Sequence, residues 1–103
     1  MAGATLLSYI GVLLASHMIA DYPLQTNWMA ENKHSERDAL LYHSCVHGLV
    51  AFVLIAPIHI GTAAAVSVPF AAVHAIVDSR DLHIRWDQTA HFLTAIVFAF
   101  LVS

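Results

Sequence analysis

Charge is what this sequence has least of. Its four Lys and Arg and seven Asp and Glu make up 11% of 103 residues, where soluble domains carry about 25%. No Lys, Arg, Asp or Glu occurs from Met1 to Ala20, in the 39 residues between Asp38 and Asp78, or after Asp87. A chain so poor in charge cannot cover its surface with polar groups. A fully buried helical soluble protein is the competing reading, but no polar face is available to solvate it. Basic residues are too few, and the net charge of −3 too small, for a nucleic-acid surface, so no nucleic-acid partner is expected. The single Cys45 excludes an internal disulfide and argues against a cysteine-rich zinc or iron–sulfur site. The first basic residue is Lys33, so the N-terminal apolar run lacks the basic region of a signal peptide and reads as a retained helix.

Apolar sequence is abundant: 59% of the residues are hydrophobic. A membrane-spanning helix needs roughly 17–25 mostly apolar residues. The first charge-free run holds one span. The second holds two, divided by the turn signal Pro57-Ile58-His59-Ile60-Gly61. The run from Gln88 to Ser103 is short for a bilayer core of ~30 Å, so either the fourth helix begins earlier, near Ile84 or Trp86, or the bilayer thins beside it. The expected fold is all-α: one integral membrane domain over 1–103, a four-span antiparallel helix bundle with spans at about 4–22, 39–56, 61–79 and 85–102. Between the first two spans, 23–38 carries Trp28 and Met29 beside Glu31, Asn32 and Lys33. It reads as an interfacial amphipathic segment or as a plain loop.

Four pairs of metal-capable side chains stand out against this background: His17/Asp21, His43/His47, His74/Asp78 and Asp87/His91. Each pair is spaced four apart, which on a helix puts both side chains on one face. All the basic residues, Lys33, Arg37, Arg80 and Arg85, lie between spans one and two or between three and four. Basic loops face the cytoplasm, so a cell-membrane, multi-pass topology with both termini outside is expected. In that topology the pairs end spans one and three and begin spans two and four. All of them then fall at one depth, near the cytoplasmic face. His34, His59 and His83 fall in loops and read as solvated side chains; Cys45 lies off the face shared by His43 and His47 and reads as packing.

The pairs also repeat. His17 and Asp21 recur 57 positions on as His74 and Asp78, while His43 and His47 recur 44 positions on as Asp87 and His91. Two pseudo-repeated helical hairpins, related by an axis along the membrane normal, would gather all the pairs around one point.

Five His and three Asp suit Zn, Fe, Mn, Ni or Co, as one or two divalent ions, and helical bundles build such centres from inward-facing side chains. The candidate metal ligands are His17, Asp21, His43, His47, His74, Asp78, Asp87 and His91, with some of the Asp residues orienting His rings instead. Gln25 and Gln88 are candidates for polar support. Inter-helix hydrogen-bonded clamping and a metal-free proton path are the alternatives. Haem held between His47 and His91 leaves the Asp residues without a place, and a nucleophilic Cys45 fits poorly because helical neighbours point about 100° apart. As an enzyme the chain would be a metal-dependent hydrolase of a phosphoester or lipid-linked substrate, with Asp87 as candidate catalytic base and Arg80 and Arg85 nearby for phosphate. The other readings are a metal-stapled structural protein and a divalent-metal or proton transporter, the latter as a homo-oligomer. A transporter needs a polar route outward, and only Ser8, Thr62 and Ser67 offer one.

The run Asp21-Tyr22-Pro23-Leu24-Gln25-Thr26-Asn27-Trp28, with His43…His47, His74…Asp78 and Asp87-Gln88…His91, resembles the domain-of-unknown-function 3307 family. The resemblance covers nearly the whole chain. It implies a small polytopic membrane protein and brings no established activity. A looser likeness to inner-membrane metal-dependent hydrolases lacks their His-Arg and Thr-His-Ser elements.

Overall fold

The computed structural model describes residues 2–33, 35–80 and 84–103, with side chains from 6 to 33, 35 to 80 and 85 to 103. Five helices follow in order: α1 (Ala2–Asp21), α2 (Asn27–Asn32), α3 (Arg37–Ile55), α4 (Ile60–Asp78) and α5 (Ile84–Val102). The described residues contain no strand. The four long helices begin and end within two residues of the expected spans, and α5 starts at Ile84. The boundaries have local causes. Thr26 caps α2, its hydroxyl accepting from Met29 N at 3.2 Å. His59, exposed after Pro57, caps α4 by accepting at Nδ1 from Thr62 N at 3.1 Å. It is thus a capping residue as well as a solvated one; His34 and His83 lie outside the described residues. The described part of the segment 23–38 holds the short α2, flanked by turns, and runs into α3 at Arg37; α2 lays Trp28 edge-on against Tyr42 of α3, ring centroids 6.0 Å apart.

α1 packs on α3 and α5, and α4 packs on the same two helices. The long helices therefore close a ring in chain order, with α1 diagonal to α4 and α3 diagonal to α5. The bundle is 42 Å long and 24 × 21 Å across. Small residues allow the closest approach. At Gly48 of α3 an added Cβ would meet Ser67 O of α4 at 2.8 Å and Ala71 Cβ at 2.9 Å.

The interior divides along its length. One half is apolar: Tyr9, Leu13, Ala51, Ile55, Ala63, Val66, Phe70, Ala95 and Ala99 form one buried cluster. The other half is filled by histidine and aspartate. Large apolar side chains, by contrast, point outward, with Leu7 70%, Val68 73% and Leu101 74% exposed. Cys45 is also on the outer surface and not packed in the core, because it lies on the face of α3 opposite His43 and His47. Two helices, α3 and α4, are long and apolar enough to cross a membrane, and the described part of α1, Leu6–Asp21, is a shorter apolar helix. Arg85, Asp87, Gln88 and His91 in the first turns of α5 make that helix more polar.

Candidate metal centre

All eight paired residues meet inside the polar half of the bundle. His17, His43, His47, His74 and Asp78 are fully buried, and His91, Asp87 and Asp21 are at most 5% exposed. The four-residue spacing puts each pair on one helix face, and the ring order of helices turns every such face inward. Ion pairs join Asp21 to His17, His43 and His47, Asp78 to His43 and His91, and Asp87 to His91.

The tightest grouping is a triangle from α1 and α3. Asp21 Oδ1 lies 2.9 Å from His47 Nε2 and 3.1 Å from His43 Nε2, and the two ring nitrogens are 3.2 Å apart. A second grouping comes from α4 and α5: Asp78 Oδ1 is 2.9 Å and Asp87 Oδ1 3.6 Å from His91 Nε2. His43 Nε2 is also 3.3 Å from Asp78 Oδ2, which joins the two groups. Between them His17 Nδ1 and His74 Nε2 meet across the α1/α4 diagonal at 3.3 Å. The rings of His47 and His74 stack with centroids 3.9 Å apart, and those of His74 and His91 at 4.4 Å. Three sets of side chains place one donor atom each within 4.8 Å of one another: His17/Asp21/His47, His17/His74/His91 and Asp78/Asp87/His91. These buried clusters could hold a metal ion.

His74 Nδ1 lies 2.9 Å from Phe70 O, which only accepts, so Nδ1 carries the proton and Nε2 of a neutral ring is bare. Gln88 Nε2 donates to Asp87 Oδ2 at 3.2 Å and to Asp21 Oδ2 at 3.4 Å, and its Oε1 therefore faces His17 Nε2 at 3.0 Å. This amide orientation is assigned because both carboxylates are acceptors. His17 Nε2 is then the donor to Gln88, and its Nδ1 is bare if the ring is neutral. Two lone pairs would face each other across the 3.3 Å between His17 Nδ1 and His74 Nε2. A positive species, an extra proton or a metal cation, relieves that clash.

Gln88, expected only as polar support, is a hub touching His17, Asp21 and Asp87, and it is half-exposed where those eight residues are buried. Gln25 stands further off: its Nε2 donates to the backbone Asp21 O at 2.9 Å, and its Oε1 accepts from Lys33 Nζ at 3.1 Å. Ser44 and Ser16 escaped the sequence reading. Both are buried; Ser16 Oγ donates to Leu13 O at 2.9 Å, and Ser44 Oγ has no hydrogen-bond partner among the described residues. Ser16 immediately precedes His17 and Ser44 follows His43, but neither belongs to a spaced pair that would mark it. His43 Nδ1, His47 Nδ1, His91 Nδ1 and Asp87 Oδ1 are likewise buried without hydrogen-bond partners.

No curated protein and no solved structure matches the chain. The model of a family described as a protein of unknown function, DUF3307, matches residues 9–103, the stretch that holds every residue of the buried centre, and the chain belongs to that family.

Proposed function

We propose that this chain is a multi-pass protein of the cell membrane, crossed by α1, α3, α4 and α5, whose buried centre holds one or two divalent transition metal ions. The inverted distribution of side chains supports the membrane reading. Leu, Val, Ile and Phe cover the outside while alanines, histidines and aspartates fill much of the inside. Lipid, unlike water, favours such an exterior. Lys33, Arg37, Arg80 and Arg85 mark the cytoplasmic side, which puts both termini outside.

One observation carries the metal reading: the Asp21/His43/His47 triangle, with edges of 2.9, 3.1 and 3.2 Å. A tetrahedral ion with ligands at about 2.0–2.1 Å holds them ~3.3–3.4 Å apart. A carboxylate oxygen can accept from two rings, but that clamp leaves two N–H donors 3.2 Å apart, a crowding that a shared cation removes. Three protein donors leave a fourth position for water, and a metal so held supplies an acidified water and a polarised phosphoryl oxygen. Hydrolysis of a phosphoester or lipid-linked substrate is therefore the reaction we assign. Asp87 is the candidate base, through Oδ2, which accepts from half-buried Gln88. The near-complete burial of the centre favours a second reading, in which the metal only staples the helices. The transporter reading finds little support, since the other half of the interior is an apolar cluster.

Elemental analysis of the detergent-purified protein tests the proposal. One or two transition metal ions per chain are expected, with less in His47→Ala and His91→Ala and no change in His59→Ala. A folded wild-type protein without metal, after growth in metal-replete medium, overturns it.

A further inference from the structure

The two hairpins do more than repeat a sequence pattern; they repeat a contact. Asp21 of α1 meets His47 of α3 at 2.9 Å, oxygen Oδ1 to nitrogen Nε2. The corresponding residues, Asp78 of α4 and His91 of α5, meet through the same atoms at the same 2.9 Å. The remaining pair breaks the symmetry: His43 in the first hairpin stands where Asp87 stands in the second. His17 and His74, equivalent to each other, touch across the middle at 3.3 Å. Equivalent helices lie on the diagonals of the ring, as a pseudo-two-fold axis along the bundle requires.

We infer that the centre is two adjacent metal sites of unequal hardness, one per hairpin: a nitrogen-rich site formed by Asp21, His43 and His47, and an oxygen-rich site formed by Asp78, Asp87 and His91. The inference rests on the metal reading above and specifies it. The first site offers two imidazoles and one carboxylate, the second two carboxylates and one imidazole. Imidazole suits Zn, while carboxylates suit the harder Mn. Formal ligand charge differs in the same direction, −1 for the first set and −2 for the second. The second site has its own structural mark. Asp87 Oδ1 is buried, has no hydrogen-bond partner and points to within 3.6 Å of His91 Nε2. An acceptor so placed is costly when it is left unsatisfied, and a cation bound beside His91 would satisfy it. His43 Nε2 lies within 3.3 Å of carboxylates from both sets. It belongs to the first, because only there do three donors close a triangle with every edge at or below 3.2 Å. His17 and His74 are the nearest further donors, within the 4.8 Å groupings that include His47 and His91.

The test uses the full chain in detergent, stripped and reloaded with one equivalent of zinc chloride and a large excess of manganese chloride, because zinc binds such sites more tightly than manganese, then desalted. Metal content is read by mass spectrometry, and manganese environment by its six-line paramagnetic resonance signal. The wild type should hold two ions per chain, one zinc and one manganese. Asp87→Ala should drop to one ion, losing manganese and keeping zinc, and His47→Ala, loaded with manganese alone, should keep the wild-type manganese signal. Asp87→His, which gives both hairpins the same donors, should take two zinc ions when a second equivalent is offered and weaken manganese by about tenfold or more. A wild type holding one ion overturns the inference and leaves the metal reading standing. So does a wild type holding two ions of which Asp87→Ala loses both while its helical circular dichroism is unchanged. A folded wild type with no metal overturns both. Should Asp87→Ala unfold, Asp87→Asn and Asp87→His carry the comparison, and an unchanged manganese signal in Asp87→His refutes the assignment.

Discussion

Replacing Gly48 with Ala adds one methyl at a tight contact between α3 and α4. The new Cβ would lie 2.8 Å from Ser67 O and 2.9 Å from Ala71 Cβ. Carbon contacts sit at roughly 3.5–4.0 Å, so the methyl is short of room by ~0.6–1.1 Å. Ser67 O is backbone and cannot rotate away, so the helices must part. Overpacking of this kind costs about 1–3 kcal/mol. Alanine recovers ~1 kcal/mol over glycine in a helix interior, which leaves a net loss of up to about 2 kcal/mol. At roughly 4–8 °C per kcal/mol, Tm should fall by up to about 8–16 °C. The change should also reach the centre. Gly48 adjoins His47, whose ring stacks on His74 of α4 at a 3.9 Å centroid distance, so the same variant should bind metal more weakly. Thermal unfolding in detergent followed by circular dichroism, with metal content measured in parallel, checks both. Adding Ala71→Gly should restore only part of the loss, because Ser67 O remains. A Tm equal to or above that of the wild type would show that helix propensity outweighs packing there, and would refute the close approach.

Other outcomes follow from the polar half of the bundle. Gln88→Leu removes the bonds to His17, Asp21 and Asp87 while filling similar space, and should weaken metal binding on the order of 10–100-fold without unfolding the helices; unaltered affinity would remove Gln88 from the network. Asp87→Asn keeps shape and removes charge. In the catalytic reading it abolishes hydrolysis of a phosphoester or lipid-linked substrate in a folded protein, whereas melting of the bundle, with no hydrolysis by the wild type in a broad substrate screen, would favour the staple. A reporter that works only in the cytoplasm, fused after Ser103, should be silent; activity there reverses the proposed orientation and moves the centre to the outer face.

Much of this protein is legible in one dimension. Long runs without charge mark the long helices, which begin and end within two residues of the expected positions. The four-residue spacing of His17/Asp21, His43/His47, His74/Asp78 and Asp87/His91 announces inward faces, because helical period decides which side chains share a side. Their placement at alternating helix ends determines that they meet at one level in an up-and-down bundle, as all eight do. Sequence could not say who pairs with whom. Asp21 makes its shortest contact with His47 on another helix, at 2.9 Å, and lies 3.3 Å from His17, its neighbour on the same helix. That choice depends on how far each helix is rotated about its axis, and packing across the whole bundle sets the rotation. The same reason hid the contacts of Gln88 with His17, Asp21 and Asp87, and the burial of Ser16 and Ser44. Gly48 reads in sequence as a helix weakener; only the approach of Ser67 and Ala71 from α4 makes the missing side chain a requirement. Composition and period are local properties and survive in the linear text. Contacts between helices are set by their relative rotation and separation, and these exist only once the helices are packed.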